Sequence, residues 1–149
     1  MDILMIREAQ REDLQDFLEL LTFLHDNSIP DNETRIGNIW TKIINNRDHH
    51  LLLGHIGNKL VSSCVIVVID NLTREQKPYA VIENVVTHPE YRNRGYASAI
   101  LSAAKDIAIK DGCYKIMLMT GSKQESTLNF YRRAGYNSDD KTAFIQWLK

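Results

Sequence analysis

Proline is scarce in this chain. Three prolines and seven glycines among 149 residues leave no Pro/Gly-rich stretch that would read as a linker between two domains. Cysteine is scarcer still. Cys64 lies inside an apolar strand-like run and Cys113 follows Gly112. Neither belongs to a CxxC pair or a Cys/His metal pattern, so no disulfide framework and no metal site is expected; two reduced, partly buried thiols are. Long apolar runs are missing too. "SSCVIVVI" at 62–69 is far too short to span a bilayer, so no membrane partner is expected. The start "MDILMIREAQ" lacks the basic region, apolar run and small-residue cleavage site of a signal peptide, and a cytoplasmic location is the expectation. A net charge of −1 and the absence of an aromatic-basic stripe argue against nucleic acid as a partner.

What remains is an ordinary globular composition, 44% apolar and 25% charged, in a chain that suits one domain with a sizeable core. The charge is unevenly spread. Residues 1–90 hold 8 Lys/Arg against 14 Asp/Glu, and residues 91–149 hold 10 against 5. A basic second part suits an anionic ligand, and an acidic first part a cationic one.

Periodicity gives the elements. "ILMIREA" (3–9) reads as a strand. Residues 11–25 put Leu14, Phe17, Leu18, Leu21 and Leu24 on one helical stripe. Pro30 and its polar neighbours break the helix. Ile36, Ile39, Trp40, Ile43 and Ile44 mark a second helix over 32–46, with Trp40 read as core. Residues 49–70 form two strands around a "GN" turn at 57–58. Residues 79–88 form another. A helix over 95–111 carries Ala97, Ile100, Leu101, Ala104, Ile107 and Ala108 on one face, and Gly112 ends it. A short strand at 113–120, a helix at 125–135 and a last strand at 142–149 complete the order β-α-α-β-β-β-α-β-α-β. This is one mixed α/β domain over residues 1–149, with a strand–helix–strand unit in its second half.

The segment "HPEYRNRGYASAI" (88–100) sets two arginines and a glycine at the entrance of the third helix. A first helical turn leaves N–H groups unpaired, and its dipole favours negative charge. Gly95 lets backbone approach a ligand closely. Together these suit a phosphate or pyrophosphate. The three-glycine dinucleotide spacing and the Gly-Lys-Ser/Thr ending are both absent.

With these surroundings the chain resembles the GNAT superfamily of acetyl-CoA-dependent N-acetyltransferases. The family pattern Gln/Arg-x-x-Gly-x-Gly/Ala falls on Arg92, Gly95 and Ala97 in "VTHPEYRNRGYASAIL" (86–101). The family's later "FY…GF" is matched by "NFYRRAGY" (129–136). Ala97 replaces the commoner glycine, and a polar residue often found about seven positions before the helix tyrosine is Gln124. Two segments are also similar to glucosamine-phosphate N-acetyltransferases, which often carry an acidic pair where this chain has Glu83-Asn84.

The resemblance implies a GNAT-like α/β fold around a mixed, mostly antiparallel sheet. It implies acetyl-CoA as co-substrate, with its pyrophosphate on Arg92, Asn93, Arg94, Gly95, Tyr96 and Ala97, Ser98 following. It implies a pantetheine arm paired with backbone at Val85, Val86 and Thr87. The thioester would lie where that strand splays from "CYKIMLMT", with an N–H near Val85 or Val86 on its carbonyl. A homodimer is a further expectation from the resemblance.

Amine acetylation requires removal of a proton and departure of a thiolate. In a regular strand Glu83 shares a face with Val81 and Val85, where a carboxylate is costly unless paired, hydrated or functional. The resemblance favours Glu83 as general base, directly or through water, and Tyr131 as the acid that protonates the thiolate. His49, His50 and His55 read as strand-edge residues and His88 as a turn residue, while His25 and Asp26 would border the acceptor pocket. The acceptor is then a small-molecule or peptide amine, with an amino sugar or its phosphate as alternative. A non-catalytic acetyl-CoA-binding module is the rival reading, in which Glu83 and Tyr131 would be dispensable.

Overall fold

Runs of β-branched and leucine residues build the strands, and helices form where apolar residues return every three or four positions. The computed structural model describes residues 2–24 and 28–149. In chain order they form β1 (Leu4–Glu8), α1 (Leu14–Leu21), α2 (Glu33–Asn45), β2 (His49–Ile56), β3 (Lys59–Ile69), β4 (Tyr79–Thr87), α3 (Tyr96–Lys110), β5 (Ile116–Leu118) and α4 (Glu125–Arg133). Two compact units divide the chain, one running to Leu118 and the other from Met119.

In the first unit the sheet order is β1-β2-β3-β4-β5. The first four strands are antiparallel neighbours, and β5 pairs parallel to β4. The β2–β3 turn uses Gly57 at φ +58, as the "GN" signal requires. Cross-strand partners share a face, so Leu51, Leu53, Ser63, Val65 and Val86 lie on one side. There Phe17 and Leu20 of α1 and Trp40 of α2 complete a buried cluster. Burying each such large side chain contributes about 1.5–3 kcal/mol. Trp40 is core as expected, and its indole N–H donates to the Arg11 carbonyl at 3.0 Å.

The opposite face is covered by Ile100, Leu101, Ala104 and Ala108 of α3, all buried. Gly54 permits this approach, because a Cβ there would meet Leu4 Cδ1 at 3.1 Å and Ile100 Cδ1 at 3.2 Å. Local chemistry sets the helix ends. The Asn32 side chain accepts from the Arg35 N–H at the start of α2. Gly112, at φ +76, closes α3, with the Cys113 N–H donating to Ala108 O at 2.9 Å.

An ion pair between an exposed arginine and a buried aspartate fixes the entry to α1. The Arg7 guanidinium grips Asp13 through two bonds of 2.7 and 2.8 Å, and Asp13 also accepts from the Gln10 N–H. The arginine hydrogen bond holds the Asp13 carboxyl below the usual carboxylate range, against the effect of burial.

Three expectations change. The first helix is shorter, with residues 11–13 as a separate 3₁₀ turn. The strand expected at 113–120 shrinks to Ile116–Leu118. The last strand, at 142–149, is absent: among the described residues the segment pairs with no strand, and Phe144, Ile145, Trp147 and Leu148 stand exposed. Alternation and β propensity are local, whereas a strand exists only through its neighbour.

Candidate active site

The β4 strand is irregular where it matters. Val65 pairs with Glu83 and Ser63 with Val86, so Asn84 and Val85 together oppose Cys64. This is a β-bulge, and Asn84 sits in the left-handed region at φ +54. Asparagine tolerates that conformation better than most side chains. The extra residue moves Val86 onto the α1/α2 face beside Val65. It also corrects the expectation for Glu83, which shares a face with Val81 and Val86 rather than Val85. Glu83 is exposed, so its carboxylate avoids the burial cost that a place among valines would impose.

Buried hydroxyl groups hold the bulge. Ser62 is fully buried; its Oγ donates to the Val86 carbonyl at 3.1 Å and lies 2.9 Å from Thr87 Oγ1. The His88 N–H donates to Val61 O at 2.8 Å. Pairing with β5 covers only Ala80 to Ile82. From Glu83 to Thr87, that side of β4 has no strand partner among the described residues. An open edge of this kind can accept an extended amide-bearing chain. The bulged residues Val85 and Val86, with Thr87, are on it.

The anion loop follows directly. Pro89–Tyr91 make one 3₁₀ turn, with the Arg92 N–H bonded to Pro89 O. The next bond within hydrogen-bonding geometry is Ala99 N–H to Gly95 O at 3.0 Å. The six N–H groups between, from Asn93 to Ser98, find no acceptor among the described residues. Gly95 at φ +82 and Asn93 at φ +61 shape the turn. The Arg92 Nε–H donates to Thr87 O at 3.1 Å, tying the loop to β4, and the Arg94 guanidinium lies 5.1 Å from the Tyr91 ring centroid. An ordered run of free donors beside two arginines fits a pyrophosphate well.

On the α1 side a cavity of about 220 Å³ is lined by Asp16, Glu19, Thr22, Phe23, Lys59 and His88, among others. The His88 ring stands edge-on to Phe23 at 4.7 Å and to Tyr91 at 5.5 Å. Its Nδ1 accepts from the Glu90 N–H, so in the neutral ring the proton sits on Nε2. The turn role expected for His88 leaves out its place at this cavity. His25 and Asp26 lie outside the described residues.

His55 pairs with both β1 and β3, so it is not at a strand edge, whereas His49 and His50 run beyond the β1 pairing and have a strand partner only in β3. His50 bonds through Nδ1 to Glu8 and has Asp111 3.7 Å from Nε2. Burial pushes the imidazoles of His49 and His55 down. Burial also pushes the Cys64 thiol up to about 12, leaving it inert. Among the described residues no three His, Cys, Asp or Glu side chains gather around a metal position, and no helix is long and apolar enough to cross a membrane.

Tyr131 belongs to the second unit. It lies on α4, 5.0 Å ring to ring from Phe130, and its carbonyl accepts from the Tyr136 N–H. Within the first unit Glu83, Val85, Val86, Thr87 and the residues from Arg92 to Ser98 follow one another along a strand edge and a helix entrance.

Comparison with known proteins bears on what this arrangement is for. The sequence model of the Acetyltransferase (GNAT) family matches residues 8–136. A glucosamine 6-phosphate N-acetyltransferase of Trypanosoma brucei brucei is 29% identical over 145 residues, covering 91% of this chain and 90% of that protein. A solved chain from Agrobacterium tumefaciens str. C58, assigned as an acetyltransferase, superposes with a TM-score of 0.90 at 30% identity, over 97% of this chain and 99% of that one. The glucosamine-6-phosphate N-acetyltransferase of Arabidopsis thaliana shares the fold, with a TM-score of 0.86 at 18% identity, covering 99% and 100% of the two chains.

Proposed function

Because the chain belongs to the Acetyltransferase (GNAT) family, and so is an acetyl-CoA-dependent N-acetyltransferase, we propose that it passes the acetyl group directly to a primary amine of a small molecule or peptide, with Glu83 as general base and Tyr131 as general acid. The observation that carries this reading is the run of six unpaired N–H groups from Asn93 to Ser98, at the end of a strand whose edge is open from Glu83 to Thr87. The family match over residues 8–136 runs from the first unit into the second, which supports reading residues 1–149 as one acetyltransferase domain.

Acetyl-CoA supplies the activated acetyl group as its thioester. The backbone of Arg92 to Ala97, with Ser98, holds the pyrophosphate, and the Val85–Thr87 edge receives the amide-bearing arm. A bulge N–H near Val85 or Val86 stabilises charge on the carbonyl oxygen. Glu83, exposed to water, takes the proton of the attacking amine directly or through a water. The Tyr131 hydroxyl returns a proton to the departing thiolate. No covalent enzyme intermediate is required.

The cavity beside His88 is the place for the acceptor's body. Asp16 and Glu19 suit a cationic amine. Lys59 on the same wall, together with the names of the Trypanosoma and Arabidopsis proteins, supports an amino sugar or its phosphate as the second reading. The test is an acceptor screen with acetyl-CoA, read as free thiol, across polyamines, aminoglycosides, peptides, glucosamine and glucosamine 6-phosphate. Thiol release with at least one amine is expected. Coenzyme binding without release from any of them would favour a non-catalytic binding module.

A further inference from the structure

The cavity on the α1 side carries charges of both signs that do not meet. Asp16 and Glu19, one helical turn apart on α1, contribute carboxylates, and Lys59, the first residue of β3, contributes an ammonium. Among the described residues none of the three enters an ion pair. His88 adds a second donor. Its Nδ1 accepts from the Glu90 N–H at 3.2 Å, which leaves an Nε2–H on the ring that lines this cavity. Unpaired charges of opposite sign around one cavity complement a ligand that carries both.

Strand register sets the spacing. Lys59, Val61, Ser63 and Val65 follow one another on one face of β3. On β4, His88 lies opposite Val61, Val86 opposite Ser63 and Glu83 opposite Val65. Lys59 and His88 therefore share a face with Glu83, beyond the bulge. From the level of Val86 they stand two to four residues along β3, roughly 7–13 Å at about 3.3 Å per residue. The cavity itself is small. Its volume of about 220 Å³ is below the roughly 300–1,000 Å³ that drug-sized ligands occupy.

We propose that the acceptor is a small zwitterion whose amine and anionic group, a carboxylate or a phosphate, stand several bonds apart. Lys59 and the His88 Nε2–H hold the anion, and Asp16 and Glu19 draw in the ammonium before it gives up its proton. The proposal rests on the acetyl-transfer reading and joins its two acceptor classes in one molecule. An amine with no anion leaves Lys59 and His88 unpaired. An anion with no amine is repelled by the two carboxylates. An α-amino acid carries both charges on neighbouring atoms, too close to reach Lys59 with its nitrogen at the bulge. Asp16, Glu19 and Lys59 are exposed, so the preference is about tenfold rather than thousands-fold.

Matched acceptors test it, with acetyl-CoA and free thiol as the readout. Aminocaproic acid should exceed hexylamine, hexamethylenediamine and norleucine by about tenfold in kcat/KM, or glucosamine 6-phosphate should exceed glucosamine by as much; which arm responds identifies carboxylate or phosphate. Lys59→Glu, in an exposed turn, should bring that ratio to one or below. His88→Asn, which keeps an acceptor for the Glu90 N–H, should reduce it. Anion-bearing amines that do no better than their neutral twins would overturn the proposal while leaving acetyl transfer standing. So would a preference that Lys59→Glu does not change. If no amine is acetylated, the acetyl-transfer reading fails separately, and melting temperature decides with the same compounds. A rise given by the zwitterions, withheld by hexylamine and lost in Lys59→Glu upholds the site; no rise overturns it.

Discussion

Gly95→Ala isolates what the helix entrance demands of its residue. Gly95 sits at φ +82, and a Cβ built there meets no atom within 4 Å. A clash with neighbours therefore contributes nothing, and the cost of alanine is its own reluctance to enter the left-handed region. That reluctance is about 1–2 kcal/mol. For a domain of this length it corresponds to a fall in melting temperature of roughly 2–8 °C. Gly95→Asn should cost less, because asparagine visits this region readily, as Asn93 already does at φ +61. Thermal or urea unfolding of the three proteins gives the order directly. The coenzyme provides the second reading. If the Asn93–Ser98 donors bind pyrophosphate, alanine should raise the KM for acetyl-CoA more than asparagine does, because it pulls the loop from its binding shape. Alanine within 0.3 kcal/mol of wild type would refute the conformational argument. Equal stability loss with an unchanged KM would detach the loop from the coenzyme.

Other perturbations follow the same physics. Glu83→Gln and Tyr131→Phe should each lower kcat by about 10²-fold or more, while the melting-temperature rise produced by acetyl-CoA stays intact; full activity in both removes these roles. Ser62→Ala, which removes the buried hydroxyl that bonds Val86 O and Thr87 Oγ1 at the bulge, should cost about 1–2 kcal/mol in urea unfolding. Asp13→Asn weakens the hydrogen bonds from Arg7 and should destabilise by about 1–3 kcal/mol near pH 7. The Asp13 carboxyl is depressed by Arg7, so its contribution is full above about pH 4, the unfolded value, and is lost as pH falls through the lower folded value; the variant should show a flatter acid limb. His49 and His55 are held neutral by burial, so stability should decline as pH drops below about 6.5, and His49→Gln should reduce that slope.

How much could be read from the chain depends on how local each requirement is. Gly95 was legible because a left-handed residue before a helix is needed whatever lies around it. The α2 helix was legible because its spacing and the Asn32 cap are both written within it. The "GN" turn was legible for the same reason. The bulge at Asn84 was not, because it is a mismatch between two strands and leaves only an asparagine in a valine-rich run as a trace. Glu83 was misjudged with it, since one extra residue changes which neighbours share its face. The tail at 142–149 has the composition of a strand, but among the described residues it pairs with none, because pairing needs a neighbour that composition does not name. The cavity beside His88 joins α1, the β2–β3 turn and the end of β4, which no single window of sequence contains.

If the Arg92–Ser98 loop binds acetyl-CoA as proposed and the acetyl group passes to an amine, both events can be read in one sample. Mass spectrometry of an amine panel incubated with acetyl-CoA, with free thiol measured in the same samples, tests it most directly. One acetyl group gained per thiol released is expected for at least one amine, with a sharp loss of both in Gly95→Ala at low coenzyme. Amines that stay unmodified, beside a chain whose melting temperature millimolar acetyl-CoA does not move, would contradict it.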